Sequence, residues 1–284
     1  MARAHYENFP VASWLLPRAM RPHVAAVYAF ARTADDFADE GRRSDAERLG
    51  LLDDWERRLH ACVAAEQHDP EDQIFLAVGQ TIRTCNLPVT FFEDLLSAFR
   101  QDITTHRYQT WDGLLDYCRR SANPVGRLVL QIAGYQDPRL DRASDALCTA
   151  LQLTNFWQDL GRDWQKGRLY VPLDDVDVCH AAVRDLSDLR MTEPWRCALR
   201  RVARRTRDLF QAGRPVCDGV SGRLRYELRL TWLGGMRVLT RLERDDFNVF
   251  VARPSLGAGD ALPLAAGMLV WKSSAGRDFT RATR

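Results

Sequence analysis

Apolar residues return at intervals of three and four along nearly the whole chain, and the period-two alternation of β-branched residues that marks strands is scarce. A chain patterned this way must bury one face of each of many helices, so the expected fold is all-α. Helices are predicted over residues 22–40, from Ser44 onward, and over 71–85, 89–104, 111–134, 141–164, 193–212 and 221–245. Gly41 stops the first, and Ser44 followed by Glu47 three residues later gives the second a capping-box start. Breaks fall at Asn86-Leu87-Pro88, at Gln136-Asp137-Pro138, at 167–172 and at Gly213-Arg214-Pro215, all turn chemistry of ordinary loop length. No polar linker, internal repeat or low-complexity tract divides the sequence, so one helical domain over 1–284 is expected, with 255–284 as a loosely packed tail.

Charge narrows the function. The 40 basic and 38 acidic side chains nearly cancel, so no global field draws the molecule to nucleic acid. The arginines at 196, 200, 201, 204, 205 and 207 make one basic helix, but Leu199, Val202, Ala203, Leu209 and Phe210 supply its buried side and no aromatic stacking pattern accompanies it. A solvated face is the expectation there. The six histidines show no ligand spacing, and no Gly-x-Gly-x-x-Gly or phosphate-cradling loop is present, so no nicotinamide cofactor is expected. Seven scattered cysteines without a Cys-x-x-Cys pair fit free thiols in a reducing cytoplasm. The first residues lack the apolar run of a secretory signal, and nothing approaches a membrane span in length. Residues 262–271 (LPLAAGMLVW) are almost uniformly apolar; packing on the core is the expectation, peripheral contact with a bilayer the alternative.

Two acidic helix faces carry the chemistry. Asp35 and Asp39 lie at i and i+4, with Asp36 and Glu40 repeating the spacing alongside, all at the negative end of a helix dipole. Each like-charge pair at that spacing costs roughly 0.2–0.5 kcal/mol, so stability alone does not select the arrangement. A hard cation reverses the sign, because magnesium takes oxygen ligands and typically uses one or two carboxylates completed by phosphate and water. The alternative is a solvated acidic end neutralised by Arg32, Arg42 and Arg43. Further on, Asn155, Asp159 and Asp163 share a second stripe at i, i+4 and i+8, opposite the apolar Leu153, Phe156, Trp157 and Leu160; Arg162 and Lys166 stand near enough in sequence to pair with these acids instead. Two such faces opposed make a metal cage for a diphosphate.

These motifs resemble the squalene/phytoene synthase family of head-to-head isoprenyl diphosphate enzymes. The likeness runs from about residue 4 to residue 253. It rests on His5-Tyr6-Glu7-Asn8-Phe9, Tyr28-Ala29-Phe30-Ala31-Arg32, Arg107-Tyr108, Tyr117-Cys118, and the run 152–163 followed by Gly167-Arg168-Leu169-Tyr170-Val171-Pro172. Asn155-Phe156-Trp157-Gln158-Asp159, Ser121-Ala122-Asn123-Pro124-Val125-Gly126 and Arg253-Pro254 are most similar to the branch that forms hydroxysqualene in the bacterial hopanoid pathway. The resemblance implies helices packed around a deep central pocket. It implies magnesium at Asp35, Asp39, Asn155, Asp159 and Asp163, diphosphate or substrate contact at His5, Asn8, Arg32, Gln152, Asn155, Arg168 and Tyr170, and pocket aromatics at Tyr28 and Tyr117.

The implied reaction is ionisation of presqualene diphosphate and capture of the cation by water, with Tyr28, Phe30 and Tyr117 sheltering positive charge. Condensation of two farnesyl diphosphates through the same cage is one alternative; a catalytically silent assembly protein is another, against which the intact acids argue. The sequence also departs from the family. Tyr6 and Asn8 stand where many members have serines, Asn123-Pro124 where they have Gly-Thr, and Gln158 where they have an Arg before the second-motif acid. Those changes alter pocket shape and the charge near the leaving group. Neighbouring pathway enzymes are possible partners on this reading.

Overall fold

The computed structural model describes residues 15–64 and 72–273. Thirteen α-helices occupy them: α1 Arg21–Asp39, α2 Asp45–Val63, α3 Gln73–Cys85, α4 Thr90–Thr104, α5 Trp111–Ser121, α6 Asn123–Ile132, α7 Pro138–Gln165, α8 Leu173–Val178, α9 Val183–Ser187, α10 Glu193–Gly213, α11 Val216–Gly219, α12 Gly222–Arg244 and α13 Ala261–Leu269. The all-α expectation holds. Ser44 and Glu47 form the reciprocal cap that starts α2, with Ser44 N donating to Glu47 Oε2 at 2.7 Å and Glu47 N to Ser44 Oγ at 3.3 Å. Asn86, at φ 50°, ends α3 in the left-handed region.

Three expectations need correction. The single helix predicted over 111–134 is two, α5 and α6, meeting at Ala122, because Pro124 in the first turn of α6 has no N–H to continue the ladder. The apolar tail packs against the core only through Trp271. It forms α13 on the surface against α12, with Leu262 83% and Leu269 88% exposed, held at its end by Trp271, whose ring meets Trp232 edge-on at 5.3 Å and whose Nε1 donates to Asp218 Oδ1 at 2.9 Å. Cys179 and Cys197, expected as free thiols, form a disulfide that ties the end of α8 to α10. The basic face of α10 is also less solvated than its sequence suggests: Arg201 and Arg205 both bond the buried Asp175.

α7 is the spine. It packs against α10, α6, α12 and α5, while α1 packs against α2, α3 and α4, and α4 joins the two groups through α5 and α6. Among the described residues no strand forms, but an extended segment after α7 runs beside the one after α4. Leu169 N donates to His106 O at 2.9 Å, and Leu173 N to Tyr108 O at 2.9 Å. This pairing fixes Arg168 and Tyr170 between α1 and α7. No described helix is long and apolar enough to cross a membrane.

A close approach of α10 to the backbone of α7 supplies a stability test. A Cβ at Gly213 would stand 2.6 Å from Leu147 N and 2.8 Å from Leu147 Cα, both backbone atoms of α7 that cannot step aside. Gly213→Ala is expected to cost about 1–3 kcal/mol in urea unfolding, with an unchanged denaturant slope.

Candidate active site

Tyr28, Arg32, Asp35 and Asp39 lie at i, i+4, i+7 and i+11 of α1 and so line one stripe of it. Arg32 neutralises much of this face, bonding Asp35 at 3.0 Å, Asp36 at 2.6 Å and Glu40 at 3.2 Å. Asp39 turns instead to the segment after α7. Arg168 Nη2 donates to its Oδ1 at 2.6 Å and Lys166 Nζ to its Oδ2 at 3.3 Å. Burial works against the Asp39 charge, but the Arg168 hydrogen bond and charge, then Lys166, hold it below the usual carboxylate range. Asp35 goes the other way: burial first, then the Asp39 charge, push it up to about 6.

On α7, Asn155 Nδ2 donates to Asp159 Oδ2 at 2.7 Å. Asp159 is buried, and its principal cation comes from far along the chain: Arg253 grips it with two hydrogen bonds, Nε to Oδ1 at 2.5 Å and Nη2 to Oδ2 at 2.9 Å. The neighbouring Gln158 donates from Nε2 to Pro254 O and so ties that segment down. Arg253 thus supplies a guanidinium to the same turn of helix that carries Gln158. One helical turn on, burial and then the Asp159 charge push Asp163 up to about 7, against the charges of Arg168 and Lys166.

Next to the charged faces stands a wall of rings. Phe156 stacks on Tyr170 at 3.7 Å, and Tyr117 lies 6.1 Å from Phe156, 6.2 Å from Tyr170 and 5.6 Å from Tyr108. Burial pushes the Tyr117 and Tyr170 hydroxyls above their ordinary range, so both stay neutral. Phe30 is not part of this wall. It is fully buried in a separate cluster with Trp55, Phe75 and Phe92, which corrects the expectation that it shelters a cation. Tyr28 and Gln152 are half-buried on α1 and α7; His5 and Asn8 lie outside the described residues. Four contributors carried no expectation: Asp102, Tyr108, Phe156 as a stacking partner, and Arg253 as a ligand of Asp159. Arg253-Pro254 had a signal in the sequence, but nothing in spacing ties it to a residue 94 positions earlier.

The donor set suits magnesium. Carboxylate and amide oxygens dominate it, and sulfur and imidazole are missing from both stripes. Among the described residues no three acidic, histidine or cysteine side chains gather closely enough to hold an ion alone. Arg168 and Lys166 both bond Asp39 and act on Asp163 through their charges, so the described side chains do not by themselves form the cage expected from two opposed faces. Asp35, Asp39, Asn155, Asp159 and Asp163 remain the residues that would hold the metal.

Two measurements follow from these charges. In the metal-free protein the raised Asp35 and Asp163 bind protons more tightly folded than unfolded, so the stability they contribute is complete below about pH 4 and lost as pH rises through about 6 to 7. Asp163→Asn is therefore expected to raise the melting temperature of the metal-free protein at about pH 8 and to leave it unchanged near pH 3.5. Arg253→Ala strips Asp159 of its two-pronged partner and is expected to cost about 1–3 kcal/mol in denaturant unfolding without metal.

The chain is 41% identical over 209 residues to the hydroxysqualene synthase of Zymomonas mobilis, covering 72% of this chain and 68% of that one. It is 36% identical over 242 residues to the hydroxysqualene synthase of Rhodopseudomonas palustris, covering 84% and 80%. Its fold superimposes on the crystal structure of squalene synthase HpnC from Alicyclobacillus acidocaldarius with a TM-score of 0.80 and 43% identity, over 87% of this chain and 92% of that one. The family model for squalene/phytoene synthase matches residues 2–260, and the chain belongs to that family of isoprenoid-forming enzymes.

Proposed function

We propose that this enzyme ionises presqualene diphosphate and lets water capture the resulting cation, giving hydroxysqualene and diphosphate. The observation that carries the reading is the junction of two acidic helix faces with a buried aromatic wall: Arg168 bonds Asp39 and its charge acts on Asp163, and Tyr170, two residues on, stacks on Phe156. A diphosphate ester of a long hydrocarbon has those two needs in that order. Magnesium, when bound at the acids, would supply Lewis-acid withdrawal of charge from the leaving group. Arg32, Arg168 and Lys166 orient and neutralise the diphosphate with fixed positive charge, and Arg is suited to bidentate phosphate contact. The neutral rings of Tyr108, Tyr117, Phe156 and Tyr170 exclude water from the carbon skeleton and present π-faces to the cation, each contact worth about 0.5–2 kcal/mol. No reductant is consumed.

The relatives named hydroxysqualene synthase support this choice of reaction. The Alicyclobacillus relative carries the name squalene synthase, which favours a second reading, condensation of two farnesyl diphosphates at the same site. A cytoplasmic setting fits the charged surface, and the exposed apolar side chains of α13 support contact between this end of the molecule and a bilayer surface.

Purified enzyme with magnesium and without nicotinamide, given either diphosphate, separates the two by gas chromatography and mass spectrometry. Hydroxysqualene from presqualene diphosphate, and nothing from farnesyl diphosphate, is expected; presqualene diphosphate made from farnesyl diphosphate would move the enzyme one step upstream. The double variant Asp159→Asn, Asp163→Asn should fold and lose turnover by at least about a thousandfold. A folded double variant with full activity would refute the role of α7.

A further inference from the structure

Asp102, near the end of α4, is a buried carboxylate that the metal and diphosphate roles leave unused. It is 7% exposed. Its Oδ2 accepts a 2.9 Å hydrogen bond from the hydroxyl of Tyr117, a member of the aromatic wall. Its Oδ1 is buried and has no hydrogen-bond partner. Its backbone carbonyl accepts from Arg168 Nη2 at 3.3 Å, the same nitrogen that bonds Asp39. Asp102 therefore stands where the charged end of the site gives way to the rings. Buried carboxylate oxygens without a partner are rare and expensive, because the group has left water and received nothing in return. An oxygen in that state is a ready acceptor for a small donor such as water.

We propose that Asp102 Oδ1 binds the water that ends the reaction and accepts its proton, with Tyr117 holding the carboxylate in place. The assignment rests on the reaction proposed above. In that reaction the carbon–oxygen bond to diphosphate breaks with its electron pair leaving on diphosphate. After rearrangement, the water oxygen forms the new carbon–oxygen bond, one of its O–H bonds breaks, and that proton passes to Asp102 and then to solvent as products leave. One water is consumed and nothing is oxidised or reduced. Burial first pushes the Asp102 carboxyl up to about 7, against the opposing Tyr117 hydrogen bond and Arg168 charge, which gives the buried group the proton affinity a base needs. A cation that meets no such acceptor has another exit: loss of a proton from a neighbouring carbon, which gives a hydrocarbon of the same skeleton without oxygen.

The test is product partition in the magnesium-loaded enzyme supplied with presqualene diphosphate, scoring diphosphate released, alcohol and hydrocarbon together. Asp102→Asn keeps the size of the side chain and an oxygen for Tyr117 but cannot take the proton. It is expected to lower the ratio of alcohol to hydrocarbon at least about tenfold while diphosphate release falls less than about tenfold. Tyr117→Phe should shift the ratio in the same direction by less. The ratio is counted per turnover, so a partly unfolded preparation does not change it. An unaltered ratio in Asp102→Asn overturns the assignment, as does a variant that no longer releases diphosphate, which would put Asp102 at ionisation instead. Wild-type enzyme that forms no alcohol from presqualene diphosphate overturns the parent reaction and this role with it; failure confined to the variants touches Asp102 alone.

Discussion

Two helices that each present a row of carboxylates repel one another unless positive charge stands between them, and here that charge is Arg168. Its guanidinium bonds Asp39 on α1 at 2.6 Å, lowers the proton affinity of Asp163 on α7, and reaches the backbone of α4 at Asp102. Three helices that are not neighbours in sequence are thus referred to one side chain. The side chain is itself held by backbone pairing of the segment after α7 with the segment after α4, where Leu169 and Leu173 donate to His106 and Tyr108. Because the same short segment carries Tyr170 onto Phe156, the polar and apolar halves of the site cannot be displaced independently.

Asp159 follows another solution to the same problem. It is more buried than Asp39, and a lone buried carboxylate there would be costly. Arg253 meets it with both prongs, Asn155 adds an amide donor, and Gln158 fastens Pro254 beside them. The guanidinium that meets this acid comes from the segment that follows α12, 94 positions further along the chain.

Much of this was legible in the sequence, and the limits have physical causes. The acids of α1 and α7 could be read because i and i+4 on a helix share a face whatever the tertiary structure. Arg168 and Tyr170 came from motif likeness rather than from spacing. Asp102 gave no signal: it is one acid in an amphipathic helix, and its character comes from burial and from a tyrosine 15 residues later. The break at Ala122 was missed because the apolar pattern runs on through Pro124 unbroken, a proline in a first helical turn being compatible with it on either side. The apolar tail reads as core by composition alone, but α12 offers only one flank to α13, and Trp271 rather than the leucines makes the anchoring contacts. The pairing of Cys179 with Cys197 depends on how α8 folds back on α10, which no spacing encodes.

Asn155 and Phe156 are consecutive on α7, one facing the acids and the other stacked on Tyr170. A rigid helix therefore carries the polar and the hydrocarbon landmarks of the site on one ruler, with a fixed rise of about 1.5 Å per residue. Insertion or deletion within α7 would rotate both out of alignment at once. Tyr117 on α5 and Tyr108 in the segment after α4 stand off that ruler, so a change of size at either leaves the spacing of Asn155 and Phe156 untouched.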